Sequence, residues 1–118
     1  GKNMIKIILS LLFILSPTIS YSHSQLKEIL PKDNVVYSKA PLQIKLKFRA
    51  NVKLVKINLN KINNENQKIK LNLDSFTQRS KEFAIPMPKI SSGKFNILWR
   101  ALSPDGHLIK GKSVFEVK

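Results

Sequence analysis

Hydrophobic and polar residues alternate along most of the chain after residue 40. In the first long run, Leu42, Ile44, Leu46 and Phe48 occupy every second position, and polar or basic residues fill the positions between them. Later runs follow the same rule, and their hydrophobic positions are Val55, Ile57 and Leu59; Ile69, Leu71 and Leu73; Phe83 and Ile85; Phe95, Ile97 and Trp99; and Phe115 and Val117. A period of two is typical of strands that bury one face and expose the other.

Segments rich in turn-forming residues separate these runs. Pro, Asn, Asp, Ser and Gly, which favour turns, are concentrated in segments 31–34, 39–41, 63–66, 91–93 and 104–106. The pattern predicts an all-β fold of about seven short antiparallel strands, arranged as an Ig-like Greek-key β-sandwich or barrel. Trp99 lies in a late strand and is expected to anchor the core rather than to bind a ligand.

The first 22 residues have the composition of a secretory signal peptide. Lys6 supplies a positive charge, and residues 7–15 are apolar apart from one serine. Ser20 and Ser22 are small residues at the positions that signal peptidase accepts before a cleavage point. We therefore expect residues 1–22 to be removed by the general secretory pathway, with an uncleaved membrane anchor or a buried helix as the alternatives.

Cleavage at this point defines the mature chain and its compartment. Met4 is the expected initiator, which places residues 1–3 upstream of it, and residues 23–118 are expected to form one periplasmic domain. The apolar run is well short of the roughly 20 residues that span a bilayer. We therefore expect no stable membrane anchor after cleavage.

The chain is strongly basic, with 21 Lys and Arg residues against 7 Asp and Glu residues and a formal charge of +14. Loss of Lys2 and Lys6 with the leader lowers this charge to +12. Such a charge often indicates nucleic-acid binding. However, most lysines fall on the outward positions of strands, where they form a solvated face and deter edge pairing. We expect no nucleic-acid partner, and only an unspecific attraction to anionic lipid or cell wall.

The counts of metal-binding residues exclude several kinds of site. The chain contains no cysteine and two histidines. It therefore has no disulfide, no thiolate zinc site and no Cys nucleophile, and it cannot form a three-His zinc centre.

Both histidines nevertheless occupy informative positions. Cleavage after Ser22 makes His23 the first mature residue, so that its α-amine and imidazole can chelate one metal ion. The other is His107, two residues after Asp105 in a turn sequence, and residues at this spacing in an extended segment point the same way. The alternatives to a metal site are that His23 falls at the mature N-terminus by chance, and that Asp105 and His107 belong to an ordinary polar turn.

The sequence around this turn resembles the C-terminal signature of CopC-type periplasmic copper-binding proteins. Residues 95–111 read FNILWRALSPDGHLIKG, similar to the family pattern aromatic-x-V-x-W-R-x-x-S-x-D-G-H-x-x-x-G, and an aromatic strand at 115–117 follows. The family's opening motif is matched by His23, Leu26, Pro31, Asp33, Pro41, Leu46 and Phe48. Residues 50–90 match only in their strand pattern.

The resemblance implies a small β-barrel that binds Cu(II). By position, the implied ligands are His23, through its amine and imidazole, together with Asp105 and His107. Three nitrogens and one oxygen form a tetragonal set that suits Cu(II). The resemblance also implies a role in copper homeostasis or resistance rather than in catalysis. The protein would sequester copper or pass it to a CopD-like inner-membrane transporter, and we expect a monomer.

The chain departs from the family at two positions that bear on copper. Some members carry a glutamate where this chain has Ala50, so a further carboxylate ligand is absent, and Glu28 cannot be assigned to the site from the sequence. Other members bind Cu(I) in a Met-rich loop, whereas Met87 here stands alone once Met4 is removed. Because a thioether site needs several soft donors, we expect a binder of Cu(II) only.

Two other functions are compatible with the same residues. An N-terminal His chelate with a second histidine is also the copper arrangement of oxidative polysaccharide-cleaving enzymes, although those are usually larger and expose more aromatic residues. The other alternative is a metal-free Ig-like interaction module. The position of the mature N-terminus discriminates between the copper-binding and metal-free hypotheses.

Overall fold

The computed structural model describes residues 25–63 and 65–118, which form seven β-strands. The expected signal peptide and His23 lie outside these residues. The strands are β1 (Leu26–Leu30), β2 (Val35–Tyr37), β3 (Gln43–Ile62), β4 (Gln67–Ile69), β5 (Ser80–Pro86), β6 (Gly93–Leu102) and β7 (Leu108–Val117). The all-β fold expected from the sequence is confirmed. In the described part of the chain, no helix has the length and hydrophobicity needed to cross a membrane.

Strand β3 joins the two sheets of the sandwich. Up to Val52 it pairs with β1 and β5, and from Lys53 onward it pairs with β4 and β6. Strand β7 continues the second sheet beyond β6. The sequence pattern suggested two separate strands here. They are continuous because the intervening residues contain no glycine or proline, and an irregular register between Lys47 and Val52 redirects the strand.

One strand pair is parallel rather than antiparallel. Strand β2 lies parallel to β7, with Val35 opposite Phe115. The turn before β2 fixes this arrangement, since Asp33 Oδ1 accepts a hydrogen bond from Val114 N–H at 2.7 Å. Asn34 adopts a φ of 60°, the left-handed conformation that asparagine tolerates better than most residues.

The alternation of buried and exposed residues shifts within β3. A second register irregularity lies between Leu54 and Lys56 on the β6 side. As a result Val52 and Ile57 are buried, whereas Val55 is 51% exposed. Leu42, which precedes the strand, is 88% exposed. The expectation from the simple period of two was therefore wrong for Val55, because a bulge reverses which side chains face the core. It was also wrong for Leu42, because β3 begins only at Gln43.

The predicted strand at 69–73 is also shorter than expected, and β4 ends at Ile69. After Ile69, local hydrogen bonds within the segment replace the hydrogen bonds between paired strands. Asn72 Oδ1 accepts from Asp74 N–H at 3.2 Å, and Leu73 O accepts from Phe76 N–H at 3.0 Å. Leu71 and Leu73 still pack against the core from this irregular segment.

The core lies between the two sheets and contains the expected Trp99. Its ring packs edge-on against Phe48, with ring centroids 5.2 Å apart, and only 2% of the residue is exposed. Gly111 lies opposite Trp99 on β7, and a Cβ atom at this position would lie 2.5–2.7 Å from three atoms of the indole ring. The buried hydrophobic residues are Ile44, Leu46, Phe48, Val52, Ile57, Leu59, Phe83, Ile85, Phe95, Ile97, Trp99, Ala101, Ile109, Phe115 and Val117.

Candidate metal site

The loop 103–107 connects β6 to β7 and carries two of the predicted ligands. Paired strand residues end at Leu102 and resume at Leu108. Between them, Ser103 N–H donates to His107 O at 2.9 Å, and Gly106 N–H donates to Ser103 O at 3.0 Å. Gly106 has a φ of 86°, which favours glycine. These backbone hydrogen bonds hold the loop in a tight turn at the end of the β6–β7 hairpin.

A buried serine hydroxyl connects the predicted ligands. Ser103 is 4% exposed, and its hydroxyl donates a hydrogen bond to Asp105 Oδ1 while accepting one from His107 N–H at 3.1 Å. The other carboxylate oxygen, Asp105 Oδ2, lies 2.9 Å from His107 Nδ1. The structure therefore brings Asp105 and His107 together. Ser103 is part of the sequence motif, but its supporting role was not predicted, because a serine in a turn usually faces solvent.

The loop is exposed to solvent and favours an ionised carboxylate. The hydrogen bond from the Ser103 hydroxyl is the main cause that lowers the pKa of Asp105 below its usual value, with smaller contributions from the backbone N–H and the charge of His107. Asp105 is thus negatively charged at neutral pH. The side chains of Asp105 and His107 are 67% and 82% exposed.

The contact with Asp105 also distinguishes the two nitrogens of His107. A neutral imidazole that donates Nδ1–H to the carboxylate keeps the lone pair on Nε2. Metal-binding histidines commonly make this kind of hydrogen bond through the nitrogen that does not bind the metal. The arrangement therefore offers Nε2 to an external ion.

An arginine from outside the loop supports its first residue. Arg79 Nη1 lies 3.3 Å from Ser103 O and 3.4 Å from both Leu102 O and Asn51 O. The guanidinium thereby connects the loop to the irregular part of β3. No sequence pattern predicts this contact, since Arg79 belongs to a segment without regular alternation.

The other candidate positions are not part of this cluster. Glu28 lies on β1 and pairs with Lys47 at 3.7 Å, and Met87 packs against the core. Within residues 25–63 and 65–118, no group of three or more His, Cys, Asp or Glu side chains is arranged to hold a metal ion. Asp105 and His107 are thus the two predicted ligands that the described part of the chain brings together, while His23 lies outside it.

Comparisons with known proteins agree with the sequence motif. A family model described as "CopC domain" matches residues 26–118. Solved structures similar to the chain include CopC from Methylosinus trichosporium OB3b, which is 22% identical with a TM-score of 0.63, the alignment covering 81% of this chain and 94% of that one.

Two structures of PcoC from Escherichia coli are also similar. One, described as a copper resistance protein in selenomethionine form, is 25% identical with a TM-score of 0.60 and coverage of 80% of this chain and 99% of that one. The other, described as a methionine-rich copper resistance protein, is 27% identical with a TM-score of 0.58 and coverage of 80% and 97%. No curated protein sequence matches the chain significantly.

Proposed function

Because the chain belongs to the CopC domain family, we propose that it is a copper-binding protein of copper homeostasis or resistance rather than an enzyme. The descriptions of the similar PcoC proteins support a role in copper resistance. The observation that carries the proposal is the Asp105–His107 pair, which Ser103 holds in place at the tip of a hairpin.

We assign Cu(II) to a site formed by His23, Asp105 and His107. His107 supplies Nε2, and His23 supplies its α-amine and imidazole after removal of residues 1–22. A carboxylate has about four acceptor positions, so Asp105 can bind the ion while it keeps the hydrogen bond from Ser103. Its contact with His107 Nδ1 must open, because Nδ1 and Nε2 point to opposite sides of the imidazole ring. This mixed nitrogen and oxygen set favours Cu(II), whose affinity is highest among divalent first-row metals.

The direction of β1 supports a contribution from the N-terminus. Leu26 pairs with Phe48, and β1 then runs antiparallel to β3 toward Lys45. The beginning of β1 therefore lies three positions before Asn51 of β3, whose carbonyl oxygen Arg79 contacts. His23 is three positions before Leu26, and a segment of this length reaches at most about 10 Å.

The absence of a methionine cluster supports a site for Cu(II) alone. The full sequence contains two methionines, of which Met87 packs against the core and Met4 belongs to the expected leader. The exposure of loop 103–107 suits a site that gives its ion to another protein. We propose periplasmic delivery by a monomer to a CopD-like inner-membrane transporter, or simple sequestration.

The decisive experiment is a Cu(II) titration of the protein with its native N-terminus, which mass spectrometry establishes first. We expect one tight equivalent, with electron paramagnetic resonance showing nitrogen ligation. His107→Ala and a one-residue N-terminal extension should each weaken binding severely, because each removes at least one ligand. Asp105→Asn tests the carboxylate, and Asp74→Asn is its matched control on an exposed loop far from the site.

Three results would contradict the proposal. Equal affinity in the extended protein would remove His23 from the site. Cleavage at another position would favour the metal-free interaction module. Peroxide formation or sugar oxidation by the copper-loaded protein in the presence of ascorbate would instead support the oxidative enzyme.

A further inference from the structure

The outer face of the second sheet carries a row of adjacent cations. Lys56 on β3 lies directly opposite Arg100 on β6, and Arg100 lies directly opposite Lys110 on β7. Lys112 follows two residues later on the same face of β7. All four side chains are exposed. We call Lys56, Arg100, Lys110 and Lys112 the basic face.

This arrangement opposes folding rather than favouring it. Like charges at directly opposite positions of neighbouring strands destabilise a sheet, and Arg100 has such a neighbour on each side. Acidic residues do not relieve the repulsion: within residues 25–63 and 65–118, no carboxylate lies within ion-pair distance of the basic face. The cost to folding suggests that these cations serve another purpose.

Some lysines elsewhere in the two sheets lie beside a carboxylate. On the first sheet, Lys45 pairs with Glu82 at 3.6 Å and Lys47 pairs with Glu28 at 3.7 Å. At the other end of the second sheet, Lys94 lies opposite Glu116. The row of directly opposed cations lies on the half of the second sheet that is nearer to loop 103–107.

The shape and composition of this face identify its partner. The strands are about 4.8 Å apart, so the three cations in the row extend over about 10 Å of an open sheet rather than around an enclosed cavity. Leu98 and Leu108 on the same face are 40% and 54% exposed. A broad array of cations with exposed leucines between them suits a surface of many anionic headgroups, into which apolar side chains can insert while lysines reach the charges.

We propose that the basic face docks the protein on a bilayer that contains anionic phospholipid. Docking places loop 103–107 beside the membrane, because Arg100 and Lys110 are two residue pairs from the end of the hairpin. The contact is electrostatic and reversible, and it does not depend on bound copper. It is therefore independent of the proposed metal site.

The test is sedimentation of the metal-free protein with vesicles, using the form that cells accumulate. One set of vesicles contains phosphatidylcholine alone, and the other contains equal amounts of phosphatidylcholine and phosphatidylglycerol. We expect binding to the anionic vesicles only, and release when salt is raised, because surface charges are screened.

The critical variant replaces the four cations of the basic face with glutamine. Each cation near an anionic surface contributes about a fivefold change in partitioning, so this variant should bind at least about 100-fold more weakly. The matched control replaces four exposed lysines elsewhere, Lys32, Lys39, Lys81 and Lys89, and loses the same net charge. It should retain most of the binding, and circular dichroism verifies that both variants are folded.

Other outcomes overturn the proposal. Equal losses in the two variants would show that net charge alone attracts the protein to lipid. Binding to polyglutamate or to DNA with no binding to anionic vesicles would identify the face as a site for an acidic polypeptide or a nucleic acid. Equal binding to both kinds of vesicle would exclude headgroup charge as the cause.

Discussion

Replacement of Ser103 by alanine tests how the loop holds its two candidate ligands. The substitution removes one hydrogen bond to Asp105 and one from His107 N–H. Both partners are exposed, so water replaces the lost hydroxyl and neither group is left buried and unsatisfied. The hydrogen bond from His107 N–H alone contributes about 0.5–1.5 kcal/mol, and we expect the free energy of unfolding at pH 7 to fall by at least this amount.

The same substitution has a defined pH dependence. Because the Ser103 hydroxyl is the main cause of the lowered pKa of Asp105, NMR titration should show this pKa rising toward its ordinary value. A carboxyl with a lowered pKa in the folded state stabilises the protein above its unfolded pKa, and this contribution is lost as pH falls through the folded pKa. The difference in free energy of unfolding between wild type and Ser103→Ala should therefore be largest at neutral pH and should decrease in acid.

The matched control is Ser113→Ala, which also removes a buried serine. Ser113 donates to Pro31 O at 2.7 Å and contacts no titratable group through this bond. Urea unfolding at a series of pH values should show a loss of stability in Ser113→Ala that does not narrow in acid, and an unchanged titration of Asp105. A pH-independent deficit in Ser103→Ala, or an unchanged pKa of Asp105, would refute the role assigned to the hydroxyl.

Three further predictions concern the core, the basic face and the metal site. Gly111→Ala should cost about 1–3 kcal/mol through overpacking against Trp99, and urea unfolding should show a smaller cost in a Trp99→Leu background; an equal cost in both would argue against the clash. Arg100→Glu should raise stability by about 0.4–2 kcal/mol, since two like-charge pairs become opposite pairs, whereas an unchanged melting temperature would contradict the repulsion. Cu(II) affinity should fall as pH drops through the imidazole and amine range, because protons compete for these ligands; loss of binding only within the carboxylate range would exclude nitrogen ligands.

The sequence predicted the strands best where one face is uniformly buried. The alternation around Phe95, Ile97 and Trp99 matches the structure because β6 is regular and central. The same rule failed at Val55, since a bulge shifts the alternation without any change in residue type. Local patterns also cannot show which strand lies beside which, so the continuity of β3 across both sheets was visible only in the structure.

The candidate site was predictable to a similar extent. Asp105 and His107 could be placed on one side of a turn from their spacing and from the family motif. The contact of Arg79 with Ser103 O could not be predicted, because the two residues are 24 positions apart along the chain. The basic face could not be predicted either, because the sequence does not show which residues are neighbours across strands. In the sequence alone, its lysines are indistinguishable from other solvated residues.

The continuity of β3 has a consequence for cooperativity. The same strand provides hydrogen-bonded partners for β1, β4, β5 and β6, so neither sheet is complete without it. Separation of the two sheets into independent unfolding units is therefore disfavoured, and the domain should unfold in a single two-state transition. Since β6 begins at Gly93, a nascent chain lacks a complete second sheet until most of it has been made. Such a chain cannot complete its fold until β6 and β7 have been made.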